Sequence, residues 1–298
     1  MYCDLHTHSL ASDGTETPSE VVRLARRAGL AAVALTDHDT FAGIEEALDA
    51  GRKQGIRVIV GAELSLPHDT GSFHLIALGV DPENAEIRDV ADRLCDARGP
   101  RNRGIVAKLR ASGVDITIEE VEAEAGGADQ VVARPHIASL LMKKRVVATF
   151  QEAFDRYLGR GAEAYVERVR VRLDEAVTAT RAAGGVTIVC HPFTLGFRVP
   201  GEVPAEEEFV TWCRGVAAQG VDAMEARYGS YSKTQEAFFT QSAERAGLLP
   251  SGGSDFHGSI KPAVRIGRGR GRLRVPIAWL DALIERGKSR PDAHPVAH

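Results

Sequence analysis

Apolar and polar positions along this chain follow two periods. Short apolar bursts at 2–6, 31–36 and 57–63 are separated by stretches at 17–28 and 41–53 in which apolar residues return every three or four positions. The first pattern predicts strands and the second helices, so the chain opens on a β-α-β-α-β rhythm. Pro18 lies just inside the first helical stretch and Gly29 just beyond it, as helix starts and stops require, and Gly55 closes the second in the same way. Another apolar burst at 72–80 ends on Asp81-Pro82. Between 83 and 164 the pattern changes to charged amphipathic helices broken by Gly99-Pro100, Gly113, Gly126-Gly127 and the glycines at 159 and 161, with no strand of comparable strength. The β/α rhythm then resumes, with helices predicted at 173–183, 205–218 and 232–246 and strands at 186–190, 222–226 and 248–252. A glycine-arginine loop from Gly267 precedes a last helix near 276–287. The pattern predicts an α/β core in two parts, 1–82 and 165–298, around a helical insertion at 83–164.

Composition narrows the function class. A chain of 298 residues holds one large α/β domain with an insertion, and 44% hydrophobic with 26% charged residues is ordinary for a globular protein. A formal net charge of -4 argues against a broad basic face for duplex nucleic acid and favours a small substrate. No apolar run is long enough to span a bilayer and the first residues lack a signal-peptide pattern, so no membrane partner and a cytoplasmic location are expected. Nothing in the pattern sets an oligomeric state. Cys3, Cys95, Cys190 and Cys213 are widely separated and read as reduced thiols. On extended strands Cys3 and Cys190 fall out of step with His6 and His191, which predicts packing roles on the opposite face.

The chemistry concentrates at strand ends. His6 and His8 end the first predicted strand, with Asp13 in the loop just beyond. His38 ends the second, Glu63 the third, and His191 a later one; His74 lies on the fourth, and Asp255 and His257 follow the last. In a parallel α/β core these ends face one side, where ligands gather. Residues two apart on an extended segment share a face, so His6 with His8, and Asp255 with His257, can grip one centre. One cation needs about four to six nitrogen or oxygen ligands. Six histidines and three carboxylates exceed that demand, and two or three divalent ions follow, with Glu63 suited to bridge a pair. The ligand types fit manganese, iron or zinc. His68, in a turn-like segment, and His294 and His298, in the tail, carry no such expectation.

The segments Asp4-Leu5-His6-Thr7-His8-Ser9, Ser12-Asp13-Gly14, Leu35-Thr36-Asp37-His38-Asp39, Gly61-Ala62-Glu63, Cys190-His191-Pro192 and Gly253-Ser254-Asp255-Phe256-His257-Gly258 together resemble the PHP (polymerase and histidinol phosphatase) phosphoesterases, in order and over most of the chain. The resemblance implies a distorted (β/α)7 barrel with a helical insertion after the fourth strand, and a trinuclear centre. It would place His6, His8, Glu63 and Asp255 on one metal, Glu63, His74 and His191 on a second, and Asp13, His38 and His257 on a third. Within the family the likeness is to enzymes acting on nucleoside 3',5'-bisphosphates, monophosphates or RNA 5' ends. Ala133-Arg134-Pro135-His136 resembles their substrate-binding segment, so Arg134 and His136 would hold phosphate.

Two departures bear on substrate. Gly161-Ala162-Glu163-Ala164-Tyr165-Val166 lacks a lysine found in relatives and gains an acid, and Tyr231 stands where a histidine is expected. Arg198, Arg227 and Tyr231 are then candidates for recognising the leaving group, together with Tyr228. The expected reaction is hydrolysis of a phosphate monoester of a small nucleotide-like substrate by a metal-bridging hydroxide. Glu63, Asp13 and His191 are the catalytic candidates, the last two or metal-bound water serving as acid. The alternatives are a cyclic phosphodiesterase or 5'-3' exoribonuclease of the same family, a C–N amidohydrolase, and a non-catalytic binding module. The amidohydrolase often bridges its metals with a carboxylated lysine; here the bridging position is Glu63.

Overall fold

The computed structural model describes residues 1–68, 71–127, 132–167, 171–195 and 203–290. The first half of the barrel is β1 (Tyr2–Asp4), α1 (Pro18–Arg27), β2 (Ala32–Leu35), α2 (Ile44–Gln54), β3 (Arg57–His68) and β4 (Gly71–Leu78). Helices α3 (Ala85–Asp96), α4 (Arg98–Ala111), α5 (Ile118–Glu124), α6 (Arg134–Lys143) and α7 (Phe150–Ala153) follow. The second half comprises α8 (Leu173–Ala182), β5 (Val186–Val189), α9 (Val203–Ala218), β6 (Ala223–Tyr228), α10 (Lys233–Ala246), β7 (Leu249–Gly253), β8 (Val275–Pro276) and α11 (Ile277–Lys288). Local chemistry sets several boundaries. The Thr17 side chain accepts from Glu20 N–H to start α1 with Pro18 at its first position, and Gly247 closes α10 in the left-handed conformation.

The strands form one sheet in the order β7-β6-β5-β4-β3-β2-β1-β8. It curls almost shut, because Leu5 N–H donates to Gly252 O, Asp255 N–H to His6 O and His8 N–H to Phe256 O, tying β1 to the segment that leaves β7. The seven-stranded α/β barrel expected from the sequence is present, with β8 added antiparallel to β1. Among the seven barrel strands, one departs from the parallel scheme. β4 runs antiparallel to both β3 and β5, since His68 pairs with Gly71 in a hairpin and a parallel return would need a long crossover. This reversal brings His74, near the start of β4, to the barrel end where the other strands finish. β3 also runs five residues past its predicted end, through His68.

Helix α11 covers the opposite end. Its Leu280 and Leu283 pack with Ala32, Val186 and Ala223, the first residues of their strands, and with Leu78, the last of the reversed β4. The open end is therefore the one where the histidines lie. On the flanks, Val21, Val22 and Ala25 of α1 and Ile44 and Ala47 of α2 cover Val33 and Leu35. α3 packs with α8 into the barrel's own cluster through Ile87, Val90 and Leu94, so the separate apolar cluster of the insertion begins at Ile105 and extends to Ala164.

The insertion is fastened to the barrel by a buried ion pair. Arg98, 5% exposed at the start of α4, donates through both Nε and Nη2 to Asp39 Oδ2, the former at 3.0 Å, while Asp39 Oδ1 accepts from Ser65 N–H. Asp39→Ala would leave this guanidinium buried without its counter-charge. The substitution is expected to cost about 3–5 kcal/mol in urea unfolding, against less than ~1 kcal/mol if the pair were solvated.

Candidate metal centre

Each ligand-type side chain is set by its own local structure. Thr7 N–H donates to Thr36 Oγ1 and Thr7 Oγ1 to Ala34 O, pinning the strand edge so that His6 and His8, either side of it, turn into the barrel. The chain then folds back at Gly14, where a Cβ would meet His8 O at 2.7 Å. Asp37 holds that loop in place, accepting from Ser9 N–H, Ser9 Oγ and Ser12 Oγ at 2.6 to 2.8 Å, which fixes Asp13 beside the histidines. His191 and Asp255 have φ of 29° and 55°, and Asp39 has 56°, so three non-glycine residues at this end adopt left-handed backbone.

Glu63 is the hub. Its Oε2 lies 3.1 Å from His6 Nε2, 3.1 Å from His8 Nε2 and 3.2 Å from His38 Nδ1. Its Oε1 lies 2.7 Å from His74 Nδ1 and 2.9 Å from His191 Nε2. Asp255 Oδ1 is 3.7 Å from His6 Nε2 and 3.5 Å from His8 Nε2, and Asp13 faces His8, His38 and His257 at 3.6, 3.6 and 3.3 Å. Two donors held about 2.1 Å from one cation stand about 3.0–3.4 Å apart, and the contacts of Glu63 Oε2 with His6, His8 and His38 and of Asp13 with His257 have that spacing. All nine side chains named from the sequence are thus brought together.

The tautomers point the same way. His6 Nδ1 is 2.8 Å from Glu225 Oε1, His257 Nδ1 is 3.0 Å from Asp255 O and His191 Nδ1 is 3.3 Å from Thr194 Oγ1. In each ring one nitrogen is engaged from behind and the other turned to the cluster, as for a metal-ligating histidine. Among the described residues, His8 Nδ1 and His38 Nδ1 are buried without a hydrogen bond, His38 despite the 3.2 Å approach of Glu63 Oε2, and a cation or its water would relieve them. The donor set fits divalent ions.

Charge is balanced within the cluster. Burial alone would raise the pKa of Asp13, Glu63 and Asp255, but the imidazoles, and Lys261 at Asp255, outweigh it and hold all three well below the usual carboxylate range. Burial also opposes a charge on His6, yet Glu225 and Glu63 keep its pKa well above normal. For His38 burial prevails over Glu63 and Asp13, with His8 and His74 adding to it, and its pKa falls to about 3.

Other sequence candidates land elsewhere. Arg227 does not join the cluster: its guanidinium lies 4.8 Å over the Trp279 ring and donates to Arg274 O. Tyr231 is 6% exposed and stacks on Phe239 with ring centroids 4.7 Å apart, as part of the apolar core. Arg134 donates to Leu158 O at 3.1 Å within the insertion. His136 is buried on α6, its Nδ1 accepting from Ala133 N–H, and Asp13 is the acid with most influence on it. Glu163 is exposed, and Arg198 lies outside the described residues. Cys190 does not point away as its spacing suggested. Its Sγ lies within 4.8 Å of ligand atoms of His6 and Glu63, although burial, Glu63 and Glu225 push the thiol's pKa well above its normal range and keep it neutral.

Three supporting residues, Glu225, Lys261 and Arg98, escaped the sequence reading, and a fourth, Tyr228, was expected at the leaving group and not as a support for Asp255. Glu225 bonds both His6 Nδ1 and His191 N–H, the latter at 2.5 Å; Tyr228 Oη and Lys261 Nζ both donate to Asp255 Oδ2; and Arg98 pairs with Asp39. Glu225→Gln, which keeps the shape but weakens this support, is expected to lower metal affinity or turnover about 10- to 100-fold with little change in fold. Metal titration followed by calorimetry checks it.

Comparison with known proteins places this geometry. The PHP domain profile matches residues 4–105. A 5'-3' exoribonuclease of Haemophilus influenzae is 33% identical over 258 residues, 85% of this chain and 89% of the relative. A 3',5'-nucleoside bisphosphate phosphatase of Chromobacterium violaceum is 32% identical, with 85% and 86% covered. A Bifidobacterium adolescentis crystal structure, provisionally described as a metal-dependent phosphoesterase, superposes with a TM-score of 0.78 at 29% identity over 96% of both chains. Among the described residues no helix is long and apolar enough to cross a membrane.

Proposed function

Because the chain belongs to the PHP domain family and is a metal-dependent phosphoric ester hydrolase, we propose that it removes phosphate from a small nucleotide, a nucleoside monophosphate or 3',5'-bisphosphate, using the nine-residue cluster as its catalytic centre. The observation that carries this reading is the Glu63 carboxylate, whose two oxygens face different sets of imidazoles, as a bridge between cations must. The centre would hold two or three divalent ions, with manganese, iron and zinc all suited to its nitrogen and oxygen donors. Bound, such ions supply an activated water and neutralise charge on the phosphoryl oxygens.

The protein's own groups do the rest. Asp255 is fixed by Tyr228 and Lys261 so that one oxygen stays turned to His6 and His8. His136 accepts a backbone hydrogen bond at Nδ1, which leaves Nε2–H to donate to a phosphoryl oxygen, with Arg134 offering a planar fork from the same helix start. His191, facing Glu63 Oε1, is the group for protonating the leaving alkoxide, since the imidazoles around Asp13 outweigh its burial, hold its carboxyl well below the usual range and leave it no proton to give. The C–N amidohydrolase reading has no lysine at the bridging position to support it.

A phosphate-release screen with added manganese, over nucleoside monophosphates, 3',5'-bisphosphates, cyclic phosphates, sugar phosphates and short 5'-phosphorylated RNA, tests the proposal. Turnover of the first two classes, lost on chelation, is expected. Release from sugar phosphates alone would overturn the nucleotide assignment. Preference for RNA would favour the exoribonuclease reading that the Haemophilus influenzae relative suggests.

A further inference from the structure

Between Phe256 and Leu280 the chain carries six basic residues, Lys261, Arg265, Arg268, Arg270, Arg272 and Arg274, and no acid, although its net charge is -4. The segment is not loose. Arg265 and Gly269 exchange backbone hydrogen bonds, Gly267 N–H donates to Asp4 Oδ2 at 2.7 Å, and Arg270 N–H donates to Gly229 O at 2.8 Å. Gly269 packs so tightly that a Cβ there would meet Gly229 O at 2.4 Å, and Gly229 in turn lies so close to Ser254 O that it too admits no side chain. Three exposed cations at 268, 270 and 272 are therefore displayed on a fixed frame, so holding an anion there requires little ordering of the chain.

Two of them wall a cleft of about 260 Å³. Tyr228, Tyr231, Ser232 and Gln235 line it together with Arg270 and Arg272. The volume is ample for a hydrated phosphate, given about 30 Å³ per water. No acid is among the residues lining the cleft, and Glu236 on α10 has Arg227 and Lys233 around it as well as Arg272. Among the described residues neither Arg270 nor Arg272 forms an ion pair. The cleft adjoins the metal centre through one side chain: Tyr228 lines it, while the same residue's hydroxyl donates to Asp255 and its ring lies 5.9 Å from that of His191.

We propose that this cleft is a second phosphate subsite, which takes the phosphate adjacent to the scissile one along a nucleotide. The proposal rests on the nucleotide reading above and extends it, because a substrate with two phosphates would engage both sites and a monophosphate one. Arginine suits the task, as its planar donors match phosphate oxygens in pairs.

The test compares wild type with Arg270→Gln/Arg272→Gln, manganese-loaded, on a nucleoside monophosphate, a nucleoside 3',5'-bisphosphate and a 5'-phosphorylated tri-ribonucleotide. On the monophosphate kcat/KM should stay within about twofold. On substrates with a second phosphate it should fall about tenfold or more, mainly through KM. For the tri-ribonucleotide the salt slope of log kcat/KM should shrink by roughly 0.7 for each phosphate that an arginine no longer neutralises. A fall confined to the tri-ribonucleotide assigns the subsite to an RNA chain, and one confined to the bisphosphate to a free nucleotide. Equal effects on all three substrates, or none, would overturn the subsite. Binding of the labelled tri-ribonucleotide to chelator-treated protein separates the two claims: if wild type turns over no nucleotide, the functional reading fails, while the subsite still requires the variant to bind about tenfold more weakly. Unchanged binding refutes it.

Discussion

Glu63→Gln is expected to lower kcat/KM for phosphate release by at least about a thousandfold, roughly 4 kcal/mol of transition-state stabilisation. Glutamine fills the same volume, so β3 should fold unchanged. What it removes is the charge and one of two oxygen acceptors, at a position where Oε2 faces His6, His8 and His38 and Oε1 faces His74 and His191. No other carboxylate in the cluster meets so many imidazoles: Asp255 Oδ1 lies near His6, His8 and His257, and Asp13 near His8, His38 and His257. Elemental analysis of the folded variant should show at least one ion fewer per chain. Near-wild-type turnover in a correctly folded variant would remove Glu63 from the mechanism.

Metal loading should stabilise the protein strongly. At a free ion concentration a thousandfold above its Kd, one site adds about 4 kcal/mol. For a chain of this size that is a rise in Tm on the order of 8 °C per site. Its pH dependence has a definite sign. In the metal-free cluster burial opposes a proton on His8, but Asp255 and Glu63 prevail and raise its pKa from 6.5 to about 9. A group raised in the folded state stabilises fully below its unfolded pKa, and that contribution disappears as pH rises through the folded one. The metal-free protein should therefore lose stability between about pH 6.5 and 9 on account of His8. Over the same interval protons compete less for the ring, so the metal-dependent rise in Tm should widen. Scanning calorimetry with and without manganese across that range checks it, and a rise that shrank with pH would contradict the assignment of His8.

The elements that hydrophobic period decides were legible in the sequence alone. Strands β1, β2 and β5 to β7 and helices α1, α2, α8 and α10 fall within a few residues of their predicted spans, because each has a clear apolar repeat and all but β1 lie near a glycine or proline. The direction of β4 was not, since direction depends on how short the β3–β4 connection is, and the strand's apolar run is the same read either way. His74 reaches the cluster because of that reversal. The ligand types were readable from paired spacing, His6 with His8 and Asp255 with His257. Residues that act on those ligands were harder. Glu225 left a signal, a lone acid near the end of an apolar strand, whereas Arg98 sits among many arginines in the insertion and its partner Asp39 lies 59 residues away. Tyr231 follows a strand at this end of the barrel, which is why it reads as functional; its ring packs against Phe193, Tyr228 and Phe239, and it also lines the cleft beside Arg270 and Arg272.

The central claim is that the cluster around Glu63 works as a multi-ion centre for phosphate-ester hydrolysis. Its most direct test is phosphate release by chelator-stripped protein titrated with manganese, using the best nucleotide found in the screen. Activity should be absent at the start and climb to a plateau at two to three equivalents per chain. Undiminished activity in protein shown by elemental analysis to hold less than one ion per ten chains would contradict it.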